Sequence, residues 1–257
     1  MRYFPFSVAV FLLFFGSAAA FADSGQDWTD CQSDNPDIAI PGCSRIISAN
    51  SDTQNNISIA YNDRGLGYMT KLNYQKAIAD FNEAIRLNSK YANAYSNRGL
   101  AWYREAKYTQ AVADYTKSIS LNPNDANTYN NRGLAWYDQN QYDPALTDYA
   151  KAIELDPKLA EAYYNRGLVW YAKGKYDAAI ASYMEAINIK PDYAEAYNNR
   201  GNAWYAEQNY DDAITDYTKA IAINPKYKNA YYNRGLAYKA KGDKAHSDAD
   251  FAAANEL

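Results

Sequence analysis

The sequence predicts an all-α fold, a right-handed solenoid of antiparallel helix pairs, and three observations carry that expectation. Glycine recurs at Gly65, Gly99, Gly133, Gly167, Gly201 and Gly235, each 34 residues after the last, which defines six repeats. A tyrosine stands four residues before each glycine (Tyr61, Tyr95, Tyr129, Tyr163, Tyr197, Tyr231) and an aromatic ring three after it (Tyr68, Trp102, Trp136, Trp170, Trp204, Tyr238). Those offsets put both rings and the glycine on one helical face. Twelve residues past the glycine comes Ala77, Ala111, Ala145, Ala179, Ala213 or, in the last copy, Ser247, and sixteen past it Phe81, Tyr115, Tyr149, Tyr183, Tyr217 or Phe251, the stripe of a second amphipathic helix. One helical hairpin cannot bury its own apolar face, so hairpins of fixed period stack into a continuous core with a concave side.

Residues 1–22 stand outside this scheme. Arg2, an apolar run from Phe4 to Phe15, a Gly16-Ser17 break and the small-x-small triplet Ala20-Phe21-Ala22 read as a signal peptide cleaved after Ala22. The mature protein is then expected to be soluble and periplasmic or secreted. Uncleaved, the stretch approaches the roughly 20 apolar residues of a membrane span, and a membrane enters only in that case. Residues 23–56 read as a degenerate capping segment: Ala39-Ile40 and Ile46-Ile47 repeat the spacing of Ala77-Ile78 and Ala84-Ile85, with Trp28 and Cys31 on a short first helix and Cys43 on a second. Both cysteines of the chain lie here. In an oxidising compartment such a pair closes, and a loop this short stabilises by about 3 kcal/mol on the chain-entropy account.

Residues 57–257 form the repeats. Glycine inside a helix costs about 1 kcal/mol relative to alanine, so a glycine held at one register is expected to lie where a side chain would strike the neighbouring helix. Turn residues such as Ala106-Lys107 and Gly174-Lys175 separate the two helices of a repeat, and Pro123, Pro157, Pro191 and Pro225 stop the second helices, with Ser89 at the first interval. In the last copy Lys244 replaces the tyrosine of Tyr108, Tyr142, Tyr176 and Tyr210, and Ser247 replaces alanine. Polar changes of this kind suit the end of a stack, with no effector domain expected beyond it.

Composition removes several functions. The formal net charge is −4 and no run of Lys or Arg occurs, which argues against nucleic acid as a partner. With 27 Tyr against 8 Phe, the chain favours rings that bury their body and keep a hydroxyl near water. There is one histidine, His246, expected at the surface, with no Gly-rich phosphate loop, no metal-spaced Cys or His cluster and no nucleophile elbow. No catalytic residue, metal, cofactor or small-molecule substrate is expected. Asp211 and Asp212 fall at a helix start, where they complement the dipole.

The landmarks together, with Asn-Arg-Gly-Leu-Ala-Trp-Tyr at 97–103 and again at 131–137, resemble the tetratricopeptide repeat family, in particular its exported bacterial members, over about Ile57 to Leu257. One departure concerns the residue before each glycine: Arg64, Arg98, Arg132, Arg166, Arg200 and Arg234 stand where the family usually has Leu. Sixteen residues after each arginine come Asp80, Asp114, Asp148, Ser182, Asp216 and Asp250. Two readings stand, an Arg–Asp pair across the helices of one repeat or a row of arginines that takes acidic ligand groups, and Arg166 opposite Ser182 is the position for a spare guanidinium.

The resemblance implies that first helices line a concave groove. It places there Asn97, Asn131, Asn165, Asn199 and Asn233, with Asp63 in the first copy, and Tyr103, Tyr137, Tyr171 and Tyr205. An amide bonds a ligand backbone as donor and acceptor, and a tyrosine supplies stiff contact area with a polar tip. The same residues are equally compatible with consensus packing and hydrogen bonds between repeats. Some family members clamp acidic carboxyl termini of chaperones through Lys, Asn and Arg on successive first helices. Here Leu66, Leu100 and Leu134 occupy the second Asn position, so that specificity is not expected. The resemblance implies a non-enzymatic scaffold that binds a protein or peptide partner in its groove outside the cytoplasm. The alternative is a structural adaptor that assembles through its ends or convex face with no defined peptide ligand.

Overall fold

Each repeat follows its landmarks: an amphipathic stretch, a tight turn, a second amphipathic stretch and a stop. The computed structural model describes residues 24–257, so the expected signal peptide at 1–22 and its cleavage after Ala22 lie outside the described residues. A leading pair, α1 (Ser24–Cys31) and α2 (Pro36–Ala49), precedes the repeats. These are α3 (Gln54–Thr70) with α4 (Tyr74–Leu87), α5 (Ala92–Arg104) with α6 (Tyr108–Leu121), and α7 (Ala126–Tyr137) with α8 (Tyr142–Leu155). Then come α9 (Ala160–Ala172) with α10 (Tyr176–Ile189), α11 (Ala194–Ala206) with α12 (Tyr210–Ile223), and α13 (Lys228–Ala240) with α14 (Lys244–Glu256). The described residues contain no strand, and none of their helices is long and apolar enough to cross a membrane.

The turn inside a repeat closes the first helix by backbone bonds. In the second repeat Lys107 N–H reaches the Trp102 carbonyl at 2.9 Å and Ala106 N–H the Tyr103 carbonyl at 2.9 Å, with Ala106 left-handed at φ 57°. The exit of the second helix is equally regular. Asn122 is extended (φ −136°, ψ 90°), as a residue before proline must be. Asn88 takes the same conformation (φ −137°, ψ 90°) before Ser89, and its side chain accepts from Lys90 N–H at 3.0 Å. The Asx turn therefore suffices where proline is missing.

Packing explains the glycines. A Cβ on Gly99 would stand 2.8 Å from Cε1 of Tyr115, and one on Gly167 2.5 Å from Cε1 of Tyr183. The ring sixteen residues on lies flat against the bare backbone and is wholly buried at Tyr115, Tyr149 and Phe81. Ala111, Val112, Tyr115 and Ala135 make one such core between the second and third repeats, with Trp102 and Trp136 half-buried at its sides. The tryptophans thus pack between helices, as their register predicts. Consecutive first helices touch (α5 with α7, α9 with α11), whereas no second helix reaches the next second helix among the described residues. The stack therefore curves with first helices inside and second helices outside.

The leading pair is held by other means. Cys31 and Cys43 form a disulfide with Cα atoms 4.5 Å apart. A Cβ on Gly42 would stand 2.6 Å from the Cys31 amide nitrogen, so α1 crosses α2 in backbone contact. Arg45 bonds both Asp27 and Asp30 across the crossing. Cys31, Cys43 and Ile46 join Ala60 of α3 in one core, which docks the pair on the first repeat.

Candidate functional site

The inner face is built from the first helices, and its amide row is already engaged between repeats. Asn97 donates to Asn62 at 2.9 Å, Asn165 to Asn130 at 3.0 Å, Asn199 to the Tyr164 hydroxyl at 2.9 Å, and Asn233 to Asn198 at 3.1 Å. In each case the acceptor stands three residues before the glycine of the preceding repeat. Asn131 breaks the series, because that position is Ser96, whose hydroxyl bonds Thr128 at 2.9 Å instead. The Asn131 amide is half-buried and carries no side-chain hydrogen bond among the described residues. In the first repeat Asp63 accepts from Asn62 at 3.1 Å, and burial pushes its carboxyl up, with that bond opposing.

The predicted tyrosines pair with the ring that opens the second helix of their own repeat. Tyr103 meets Tyr108, Tyr171 meets Tyr176 and Tyr205 meets Tyr210, each at 5.4 Å between centroids, and Tyr137 meets Tyr142 at 5.9 Å. Tyr103 also donates to Asp138 of the next repeat. Burial pushes the phenols of Tyr103, Tyr137 and Tyr171 up, and that of Tyr164 up to about 12, so they stay neutral near pH 7. Tyr171 nonetheless keeps 37% of its surface in solvent.

Structure brings part of the two rows together in a cleft of about 270 Å³, lined by Tyr171, Asn202, Tyr205, Tyr217, Asn233 and Leu236 across the last three repeats. Asn202 is not among the residues that the repeat frame singles out. It stands where Leu66, Leu100, Leu134, Leu168 and Leu236 stand in the other repeats. Its side-chain oxygen accepts from Tyr217 at 2.8 Å and from Asn233 at 3.1 Å. Where leucine stands instead, the hydroxyls of Tyr115 and Tyr149 are buried with no hydrogen-bond partner. A lone polar residue in a leucine series was the available signal.

The arginines resolve into pairs. Arg64, Arg98, Arg132, Arg200 and Arg234 each make a bidentate bond to the aspartate sixteen residues on, Arg132 to Asp148 at 2.8 and 2.7 Å. Each also lies over the tyrosine three residues before it, Arg132 at 5.6 Å from the Tyr129 ring. Arg166 has only the Ser182 hydroxyl, at 3.1 Å. His246 is exposed, paired with Asp243 and stacked on Tyr238 at 4.9 Å. The described residues gather no cluster of three or more potential metal ligands.

The chain matches the family described as TPR repeat over residues 65–105, 133–174, 169–207 and 201–242, and those described as tetratricopeptide repeat over 92–125 and over 229–257. Comparison with curated protein sequences finds no match. Among solved structures it is similar to MamA at 30% identity and TM-score 0.58, covering 62% of this chain and 92% of that one. PilW, a widely conserved type IV pilus biogenesis factor, shares the fold at 19% identity and TM-score 0.71, over 77% of this chain and 92% of its own. YrrB, a TPR protein with an unusual peptide-binding site, shares it at 23% identity and TM-score 0.58, over 73% and 95%.

Proposed function

This chain belongs to the tetratricopeptide repeat family, a scaffold for protein–protein interaction, and from that premise we propose that it holds an extended peptide or partner segment along its inner face, outside the cytoplasm and without chemistry of its own. The observation that carries the reading is the inner cleft between Tyr171, Tyr205 and Asn233, which combines an exposed ring, amides and Leu236 in one concavity. A peptide backbone laid there meets donors and acceptors at its edges and rings beneath its side chains. Asn131, whose amide has no protein partner, supplies a further backbone contact one repeat before Tyr171. The likeness to YrrB, a repeat protein with a peptide-binding site, supports this class of ligand. The Cys31–Cys43 disulfide and the leader-like residues 1–22 support an oxidising, exported setting.

The test is selection from a displayed random-peptide library on the protein, followed by affinity measurement with Asn131, Tyr171, Tyr205 and Asn233 changed to Ala singly and together. Peptides weakened at least tenfold by the combined variant, with unchanged helicity, support the groove. Peptides held equally by both proteins sink it. One observation favours the alternative of an end-on adaptor: a hollow of about 520 Å³ at the last repeat, lined by Lys239, Gly242, Lys244, Ser247, Asp248 and Phe251. Peptides that lose affinity only on changes there would move the working surface to that end.

A further inference from the structure

Along the arginine series one member departs from the pattern of its counterparts. In five repeats the arginine is held by a bidentate aspartate of its own second helix, and in four of these, at Arg64, Arg98, Arg132 and Arg234, a third bond reaches Ser44, Asn82, Thr116 and Thr218 on the preceding second helix. Arg166 has lost both. Its aspartate position is Ser182, and the residue sixteen before it, where Asn82, Thr116 and Thr218 stand for their arginines, is Ala150. Ser182 gives a single bond to Nε at 3.1 Å, while its own hydroxyl proton goes to the Ala178 carbonyl at 2.9 Å. The Tyr163 ring, 5.2 Å from the guanidinium carbon, holds the group in the place its five counterparts occupy. Glu185, one turn further along α10, is the acid that acts on Arg166, and it does so at a distance, with no ion pair between them. The guanidinium is thus oriented and half-buried, with its terminal N–H groups meeting no protein acceptor among the described residues, so they are available to a carboxylate from outside.

We propose that Arg166 is an open carboxylate socket on the outer side, completed by an acidic side chain of a protein partner that meets its two terminal nitrogens end-on, Nε being held by Ser182. A planar guanidinium with two adjacent donors free suits one carboxylate in bidentate contact. The socket is separate from the inner cleft, so a partner can engage it whether or not the groove is filled.

The test uses the arginine Nε–H resonances of the isotopically labelled protein, titrated with sodium acetate against sodium chloride at equal ionic strength, with inorganic phosphate as a second arm. The Arg166 resonance is assigned by its loss in R166K. The expected result is a saturable acetate shift at Arg166 with none at Arg132, abolished in S182D, which installs the internal carboxylate and raises the melting temperature. No saturable shift in the unaltered protein overturns the proposal, and so does a shift that persists in S182D or a lowered melting temperature for that variant. A saturable shift with phosphate alone overturns the carboxylate assignment. If acetate acts only in E185Q, Glu185 fills the socket internally and the partner is not needed.

Discussion

The third and fourth repeats make the same fold with different electrostatics. Gly133 faces Tyr149 with a would-be Cβ at 2.7 Å, and Gly167 faces Tyr183 at 2.5 Å. Second helices of 14 residues follow in both. Yet Arg132 is closed by Asp148 and Thr116, whereas Arg166 meets only Ser182. The shape of glycine against ring therefore sets the hairpin, and the ion pair is laid over it. A buried ion pair in general adds little net stability but penalises the loss of one partner, because a desolvated charge is left behind.

The largest expected effect breaks the comparison on its electrostatic side. Asp148→Ala should destabilise by about 3 kcal/mol, the low end for a broken buried pair because Arg132 keeps 17% of its side-chain surface in solvent. Ser182→Ala, at the same register, should cost less than about 1 kcal/mol. Urea unfolding followed by tryptophan fluorescence measures both, and equal costs would mean that the two arginines are equally dependent on their partners. Next comes the shared side: Gly133→Ala and Gly167→Ala should each cost about 2 kcal/mol, ring displacement outweighing the helix preference of alanine. A marked difference between those two would show that the hairpins are not equivalent after all. Smaller still, Tyr149→Phe should gain about 1 kcal/mol by removing an unpartnered buried hydroxyl, while Tyr217→Phe should lose about as much by leaving Asn202 short of a donor. The smallest effect concerns the turns. The fourth repeat places Gly174 at φ 67°, the second places Ala106 at φ 57°, and Ala106→Gly should gain about 0.5 kcal/mol in the same assay.

Much of this was legible from spacing. A strict period made the glycine, ring and alanine registers readable. The disulfide followed from there being two cysteines in one short segment, and the Arg–Asp pairing from a constant separation of sixteen residues. What stayed hidden depends on positions that vary between copies. The amide row was readable, and bonds between repeats were one of its two readings, but its acceptors, Asn62, Asn130, Tyr164 and Asn198, sit at a register where residue type changes from repeat to repeat, so spacing alone did not decide that Asn97, Asn165, Asn199 and Asn233 spend their donors there. Asn131 emerged as the open amide only because Ser96 had turned to Thr128. The left-handed turn residues were hidden for a similar reason: Leu72, Ala106 and Gln208 carry no conformational signature for φ above 50°.

The contact of first helices with their successors, and the lack of such contact among second helices, gives the stack a mechanical asymmetry. It is a leaf spring with a closed inner edge and an open outer edge. Bending it further inward meets helices already in van der Waals contact and is stiff. Straightening it stretches the inner amide bonds, such as Asn165 to Asn130, and shuts the outer gaps between neighbouring second helices. A thick segment wedged into the inner face would narrow the very gap that Arg166 opens into, so load on one face is felt as a change of clearance on the other.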